Sequence, residues 1–192
     1  MRTPAAGTGL LNAIVVGFGH LGSFHAQKYL GMEAQGIKLV ALVDPRAEEI
    51  KAKAEKTAPG VPLFASLADY FAAVNAGKVA RAQLASVSTT TEFHLSAGLA
   101  LLKEGVHILV EKPLAGHAKD GLALVEAAEK AGLVLAVGQV ERHRAMEALR
   151  TWNAHPLFLE CHRLSPFPAR SVDIDVIFDL MIHDIDLMLA MV

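Results

Sequence analysis

Three acids and one histidine lie in the apolar segment FDLMIHDIDLML, residues 178–189. On a helix, Asp179, His183 and Asp186 stand at positions i, i+4 and i+7 and share one narrow stripe, while Asp184 lies off it. Apolar side chains cover the other directions, which predicts a buried helix whose stripe faces a polar network or a cavity. An imidazole beside a carboxylate is the arrangement of an oriented general base.

Two other interpretations of this segment stay open at this point. A metal could bind the cluster, but the spacing is not specific for a metal and neither a cysteine nor a second histidine accompanies it, so we predict no metal site. A buried network with a purely structural role explains the segment, taken alone, as well as catalysis does.

A second candidate site is the glycine motif GFGHLG, which directly follows a β-branched run and opens a helical pattern. In such a motif the first glycine permits a tight turn, the second lets the backbone approach a pyrophosphate and the third allows close packing of helix on strand. The helix N-terminus then faces the anion. We therefore assign cofactor binding to the residues of this motif: Gly17, Phe18, Gly19, His20, Leu21 and Gly22.

An acid supports the same site from the second predicted strand. Asp44 ends that strand 22 residues after Gly22, where a carboxylate can accept hydrogen bonds from the adenosine ribose hydroxyls. The carboxylate would repel a 2′-phosphate, so the sequence favours NAD over NADP, although Arg46 nearby weakens that preference. The alternative is a glycine turn that binds nothing.

The carboxyl ends of the other strands should form the rest of the crevice. Thr89, Thr91, His94 and Glu111 lie there and are assigned to the cofactor, although the threonines could be ordinary strand-end and cap residues and the histidine a packed core residue. Lys112 stands between a buried strand and a proline, so we expect its ammonium in the crevice, near the cofactor. Its alternative is an ion pair with Glu111 or a neighbour.

Strand and helix signals alternate along most of the chain and predict a doubly wound, parallel α/β sheet of the Rossmann type. The predicted strands cover residues 12–17, 38–44, 82–89, 106–113 and 133–139, and the predicted helices cover 21–29, 45–58, 92–105 and 118–132, with a capping box at 66–69 before a further helix. The alternation breaks near Gln139. We predict a dinucleotide-binding domain at 1–139 and the beginning of a second α+β domain at 140–192, with a helix at 142–154, a strand at 157–164 and a proline-rich loop at 165–171.

Composition excludes several classes of partner. The chain has 192 residues, 53% of them hydrophobic, and a net charge of −2, which does not favour a nucleic-acid surface. No apolar run reaches the roughly 18 residues of a membrane helix, and the N-terminus is not typical of a signal peptide. The single cysteine, Cys161, excludes an intramolecular disulfide and is expected to be buried rather than nucleophilic. We predict a cytoplasmic protein with neither nucleic-acid nor membrane partners.

The motifs together resemble the glucose–fructose oxidoreductase / inositol dehydrogenase / rhizopine-catabolism family. The resemblance lies, in chain order, in GFGHLGSFHAQKY, VDP, TTTEFHLSAGLALLKEGVHILVEKPLA, VGQVERH and DLMIHDID. It implies an NAD-dependent oxidoreductase in which hydride leaves a sugar carbon for the nicotinamide. It also implies a catalytic set in which His183 takes the hydroxyl proton, Lys112 holds the oxygen and Asp179 orients the imidazole. Asp186 matches a trailing aspartate with a supporting role.

The segment RLSPFPARSVDIDVIFDLMIHDIDL, residues 163–187, resembles most the bacterial branch that oxidises the 3-hydroxyl of UDP-N-acetylglucosamine. This resemblance implies a nucleotide-sugar substrate, and Arg142, Arg163 and Arg170 become candidates for its diphosphate because a planar guanidinium suits phosphate. Each could equally be a surface arginine. The chain departs from many members at Met181, where they have glycine, and in the threonine-rich run before His94, where they have proline.

Members of that family usually continue into an open antiparallel sheet that shapes the substrate pocket and packs subunits together. The resemblance therefore implies that this sheet is mostly missing here. A non-catalytic NAD-binding or interaction module, or an inactive fragment of an enzyme, is the alternative to a working dehydrogenase. Exposure of Leu187, Met188 and Leu189 would favour a homo-oligomer, since large apolar patches rarely stay uncovered.

Overall fold

A single parallel sheet organises the computed structural model, which describes residues 10–143, 158–163 and 175–191. Its strand order is β3-β2-β1-β4-β5-β6, and every neighbouring pair is parallel. The strands are β1 Leu11–Val16, β2 Ile37–Val43, β3 Leu63–Phe64, β4 Leu84–Val87, β5 His107–Val110 and β6 Leu135–Val137. This order, running outward from the β1–β4 pair, is that of a doubly wound dinucleotide-binding fold and confirms the predicted fold class.

Helices cover both faces of the sheet because consecutive strand residues point to opposite sides. On one face Ile14 and Val16 of β1 pack in a cluster with residues of α3, α4 and α5, whereas Val15 packs on the other face with residues of α1 and α2. The helices are α1 His20–Leu30, α2 Ala47–Thr57, α3 Leu67–Asn75, α4 His94–Lys103 and α5 Ala118–Ala131. These two buried clusters hold the sheet in place between its helices, and the candidate site lies at the carboxyl ends of its strands.

The capping box predicted at residues 66–69 starts α3. The Ser66 Oγ accepts a hydrogen bond from the Asp69 backbone N–H over 3.1 Å. The same hydroxyl also donates to the Asp69 carboxylate over 2.6 Å. The helix that follows contributes Tyr70, whose side chain is fully buried.

The chain after β6 contributes a short helix. A π-helical turn, Ile177–Met181, continues directly into α6, Ile182–Leu189.

The strand predicted at residues 157–164 is wrong within its described part, because residues 158–163 have no regular structure and no described strand offers them a hydrogen-bonded ladder. The helix predicted at 142–154 is described only at its first residues, 142–143, which are helical, and the loop predicted at 165–171 lies outside the described residues.

No helix in the described ranges is both long enough and apolar enough to span a bilayer.

Candidate active site

The glycine motif forms a tight connection between β1 and α1. Gly17 has a φ of +86°, and a Cβ built there would lie 2.6 Å from the Thr89 backbone nitrogen at the end of β4. A Cβ on Gly22 would overlap the carbonyl oxygen of Gly17. Both glycines are therefore required by the fold itself, as the motif predicts.

Gly19 differs from these two glycines, because the protein alone does not require it. Its φ is −75°, which any residue can adopt, and a Cβ built there would meet no atom within 4 Å. It immediately precedes α1, whose first turn carries no acidic residue, so the free backbone N–H groups and the open space fit an approaching diphosphate. The residues present therefore fit a dinucleotide cofactor.

Asp44 follows β2 as predicted, but its carboxylate already has protein partners. It is 2% exposed, accepts the Phe18 backbone N–H over 2.8 Å, and binds the Arg46 backbone N–H and guanidinium over 2.9–3.1 Å. Burial alone would raise the pKa of this carboxyl, but the hydrogen bonds from Arg46 and Phe18 hold the pKa below its usual range. Asp44 thus stays ionised, and Arg46 offsets the charge that the sequence expected to repel a 2′-phosphate.

Lys53 is a residue that the sequence analysis did not single out. Its ammonium on α2 donates to the Gly19 carbonyl oxygen over 2.8 Å and lies 5.2 Å from the centroid of the Phe18 ring. Lys53 and Arg46 are seven residues apart, so both fall on the side of α2 that faces the glycine motif. The seven-residue spacing between Arg46 and Lys53 could have indicated from the sequence alone that Lys53 faces the glycine motif.

The predicted residues after β4 divide into two groups. Thr89 and Thr91 are half-buried near the carboxyl end of that strand, and their contacts with a cofactor remain predictions. His94 is 1% exposed, with its Nδ1 2.9 Å from the Pro113 carbonyl oxygen and its Nε2 3.1 Å from the Thr89 carbonyl oxygen. Because both nitrogens are engaged inside the protein, the ring has the surroundings of a packed core histidine, the alternative that the sequence left open. The ring joins two loops of the crevice, and its contact with a cofactor stays a prediction.

Lys112 connects the sheet to the C-terminal helix. Its ammonium donates to the Asp179 carboxylate over 2.9 Å and to the Asp179 carbonyl oxygen over 2.8 Å. Both side chains are largely buried, with 16% and 24% of their surface exposed. The π-helical turn presents both acceptors to the lysine. The sequence assigned Lys112 and Asp179 to one site, and the structure places them in contact.

His183 is half-buried on α6, one turn after Asp179. Burial lowers the pKa of its imidazole, and the positive charges of Lys112 and Arg163 lower it further. Among the described residues the Nδ1 atom is buried without a hydrogen-bond partner. A neutral imidazole near a cationic lysine can accept a proton. The hydrogen bonds of Asp179 go to Lys112, so the orientation of His183 by Asp179 is not observed here.

The arginines assigned to a substrate diphosphate form ion pairs with the C-terminal helix. The Arg142 Nε donates to Asp186 over 2.9 Å, and the Arg163 guanidinium binds Asp184 over 2.7–3.1 Å. Arg170 lies outside the described residues. Both described arginines therefore have carboxylate partners, and binding a diphosphate would require sharing or exchanging them.

Asp184 does not lie on the stripe predicted from helical spacing, yet its side chain is less exposed than those of Asp179 and Asp186. It is 9% exposed, and the Arg163 hydrogen bonds hold the pKa of its carboxyl below the usual range.

Cys161 was expected to be buried, and that expectation is wrong: the side chain is exposed. A hydrogen bond with Asp184 raises the pKa of the thiol, which keeps it protonated and a poor nucleophile.

A cavity of about 460 Å³ lies at the opposite end of the sheet. Asn12 and Lys38, near the amino ends of β1 and β2, line it together with residues 59–62. Because ligands of doubly wound sheets bind at the carboxyl ends of the strands, this cavity is separate from the crevice that holds Lys112.

The strand order, the glycine loop and the acid after β2 define the class: a dinucleotide-binding domain. Residues 11–139 match the family described as "Oxidoreductase family, NAD-binding Rossmann fold", the glucose–fructose oxidoreductase / inositol dehydrogenase / MocA family. The chain belongs to this family, which confirms the predicted NAD-binding fold.

Known proteins resemble the chain over most of its length. A UDP-N-acetylglucosamine 3-dehydrogenase of Acidithiobacillus ferrooxidans is 39% identical over 180 residues, which cover 92% of this chain and 53% of the relative. A solved structure of the enzyme of that name from the same organism has 37% identity and a TM-score of 0.80, over 94% of this chain and 56% of that one. A dehydrogenase of Chromobacterium violaceum, solved with NADH and UDP-GlcNAcA, has 28% identity and a TM-score of 0.60, over 73% and 41%.

The chain spans about half the length of the curated relatives it matches. The family and fold are therefore established by residues that are present, while activity, substrate and assembly are matters for proposal.

Proposed function

We propose that the chain acts as an NAD-dependent sugar dehydrogenase, with Lys112, His183 and Asp179 as its catalytic set. The observation that carries this proposal is the contact between Lys112 and Asp179, which brings an ammonium group to the helix that bears His183. These residues are 67 positions apart in the sequence. Their meeting beside a dinucleotide-binding crevice supports a role in chemistry better than a role in surface stability.

The proposed reaction removes a hydride and a proton from one hydroxyl-bearing carbon of a sugar. The nicotinamide, when bound, supplies the hydride acceptor. His183 takes the hydroxyl proton, because its lowered pKa leaves the imidazole neutral and able to accept it. Lys112 donates a hydrogen bond to the same oxygen and lowers its proton affinity, and Asp179 holds the ammonium in place. The product is a ketone, and the proton on His183 passes to solvent.

A nucleotide sugar with a UDP-N-acetylglucosamine-like structure, oxidised at its 3-hydroxyl, is the substrate we propose. The support is the 39% identity to a UDP-N-acetylglucosamine 3-dehydrogenase and the 28% identity to a dehydrogenase solved with UDP-GlcNAcA. Arg142 pairs with Asp186 and Arg163 pairs with Asp184 on α6, and these two arginines are the candidates for binding a diphosphate.

We further propose a cytoplasmic location, supported by the single cysteine.

The decisive experiment follows NADH formation by the purified chain with UDP-N-acetylglucosamine and with a panel of other nucleotide sugars and polyols. We expect His183→Asn and Lys112→Met to lower turnover by roughly 10²- to 10⁴-fold, the contribution of a positioned acid–base group. The matched control is Lys103→Met, which alters an exposed lysine at the end of α4 and should leave turnover unchanged.

Fluorescence titration with NADH separates the alternatives. Binding of NADH without turnover on any substrate would favour the alternative, a non-catalytic NAD-binding module. Failure to bind NADH would contradict both functions.

We also propose that the chain forms a homo-oligomer. Several apolar residues of the C-terminal segment are exposed, among them Ile177, Met181 and Leu189. Apolar groups gathered on one short helix are better covered by a second copy than left in water.

A further inference from the structure

A half-buried pair of titratable side chains adjoins the loop that carries the lysine and has no role in the proposed chemistry. The His25 Nε2 atom of α1 is 2.8 Å from the Glu111 Oε1 atom, and the two side chains are 19% and 13% exposed. Glu111 immediately precedes Lys112. The pair therefore connects the helix that begins at the glycine motif to the loop that carries the lysine.

The Glu111 carboxylate is enclosed on a second side by the end of β6. A Cβ built on Gly138 would lie 2.9 Å from both the Cδ and the Oε2 of Glu111. The same Oε2 atom accepts the Lys112 backbone N–H over 3.2 Å. One carboxylate thus contacts α1, its own loop and the chain after β6, and it accepts the backbone N–H of Lys112.

A second histidine holds the loop on the other side of the lysine. The His94 Nδ1 atom lies 2.9 Å from the Pro113 carbonyl oxygen. Lys112 therefore stands between two residues that are each fixed to a helix by a histidine. Of these helices, α1 starts at the predicted diphosphate site, so His25 offers a direct connection from that site to the lysine loop.

We propose that His25 is a positioning residue for Lys112: through Glu111 it couples occupation of the glycine loop by the cofactor to the placement of the lysine. This inference rests on the proposed function of Lys112. His25 contacts neither the reacting carbon nor its oxygen in this scheme. It acts because a small displacement of a positioned group is costly for catalysis, about 10²-fold for a shift near 1 Å.

The kinetic test compares His25→Ala with His25→Gln in the full chain. The alanine variant removes the bond to Glu111, so we expect kcat to fall roughly tenfold to 100-fold while the dissociation constant for NADH changes by less than about threefold. A glutamine amide can replace the Nε2 donor, so His25→Gln should recover most of the turnover. An unchanged kcat in His25→Ala, or an equal loss of NADH affinity, would overturn the proposal.

The matched control is His107→Ala on β5. That ring accepts a hydrogen bond from the Val134 backbone N–H over 2.9 Å at the opposite end of the same strand. Its removal costs the fold a similar bond but leaves the lysine loop alone, so turnover should stay within about twofold of wild type. Gly138→Ala provides a second route to the same effect, because its Cβ would displace Glu111 without altering His25.

Hydrogen exchange measured by mass spectrometry tests the coupling without requiring turnover. In the wild type we expect NADH to protect peptides of residues 17–30 and of residues 108–116. In His25→Ala, protection of 17–30 should persist and that of 108–116 should be lost. Equal protection of 108–116 in both proteins would overturn the inference even where the wild type is active. A wild type that binds NADH without turnover contradicts the proposed function alone, whereas one that does not bind NADH contradicts both.

Discussion

At the scale of single residues, His183 is the group whose protonation the structure constrains most clearly. Burial and the charges of Lys112 and Arg163 lower its pKa, while the charges of Glu141 and Asp184 oppose that change. A lowered pKa means that the imidazole remains a base at pH values where a free histidine, with a pKa of 6.5, would be half protonated. The imidazole that we propose as the general base is therefore able to accept a proton at neutral pH.

We predict that the acid limb of kcat/KM lies below pH 6.5 in the wild type. Activity should be present above the pKa of His183 and lost as the pH falls through it. Arg163→Gln removes a positive charge that lowers this pKa, so the acid limb should move upward. Arg142→Gln, which removes the partner of Asp186, is the control and should leave the limb in place. A limb that does not respond to Arg163→Gln would contradict this assignment, and NMR titration of the imidazole checks it directly.

The sequence predicted which residues meet in the site better than it predicted their partners. Lys112, Asp179 and Asp44 were assigned to the crevice because their types and positions at strand or helix ends carry that information. Helical spacing shows which side chains share a stripe, but not which cation from another segment approaches it. Asp179 therefore bonds Lys112 rather than His183, and Asp184 pairs with Arg163. The π-helical turn also departs from the regular helical period on which the stripe was drawn.

At the scale of elements, the connection between β1 and α1 contains two glycines that the fold requires and one, Gly19, that it does not. Gly22 is packed against the Gly17 carbonyl, and Gly17 against the end of β4, whereas the space around Gly19 is open. The difference predicts opposite outcomes for the same substitution at two positions of one loop.

We predict that Gly22→Ala destabilises the fold and that Gly19→Ala does not. The added methyl group of Gly22→Ala meets a backbone carbonyl that cannot move freely, so the free energy of unfolding should fall by about 1–3 kcal/mol. Gly19→Ala should keep the thermal midpoint of the wild type but bind NADH roughly tenfold or more weakly, since a methyl group fills the path of the diphosphate. Thermal unfolding with and without NADH measures both effects. A Gly19→Ala variant with unaltered NADH affinity would exclude close approach of the cofactor there.

The pattern of apolar residues predicts where most strands lie but not where each strand ends. The sequence extended β5 over residues 106–113, but the strand is His107–Val110, because the chain leaves the sheet to form the loop of Glu111 and Lys112. A proline there cannot donate to a ladder, which agrees with the early end of the strand. The two-residue strand β3 is too short to give a periodic signal, so the sequence did not predict it.

At the scale of the whole molecule, ion pairs attach the C-terminal helix to the rest of the described chain. Lys112 binds Asp179, Arg142 binds Asp186 and Arg163 binds Asp184. Apolar residues of the same segment remain exposed: Val176, Ile177, Phe178, Met181, Ile185 and Leu189. Lys112 thus joins this segment to the crevice, while the named apolar residues of the segment are exposed.

We predict that this apolar surface associates with a second copy of the chain. Sedimentation equilibrium should show a dimer or larger assembly for the wild type, and the double variant Ile177→Lys/Leu189→Lys should shift the protein to the monomer, because two lysines cannot be buried without partners. Leu122→Lys is the control: this residue on α5 is 60% exposed, close to the 67% of Leu189, but lies away from the segment. A wild-type protein that stays monomeric at every concentration tested, or a double variant that associates as the wild type does, would show that this surface is not the interface.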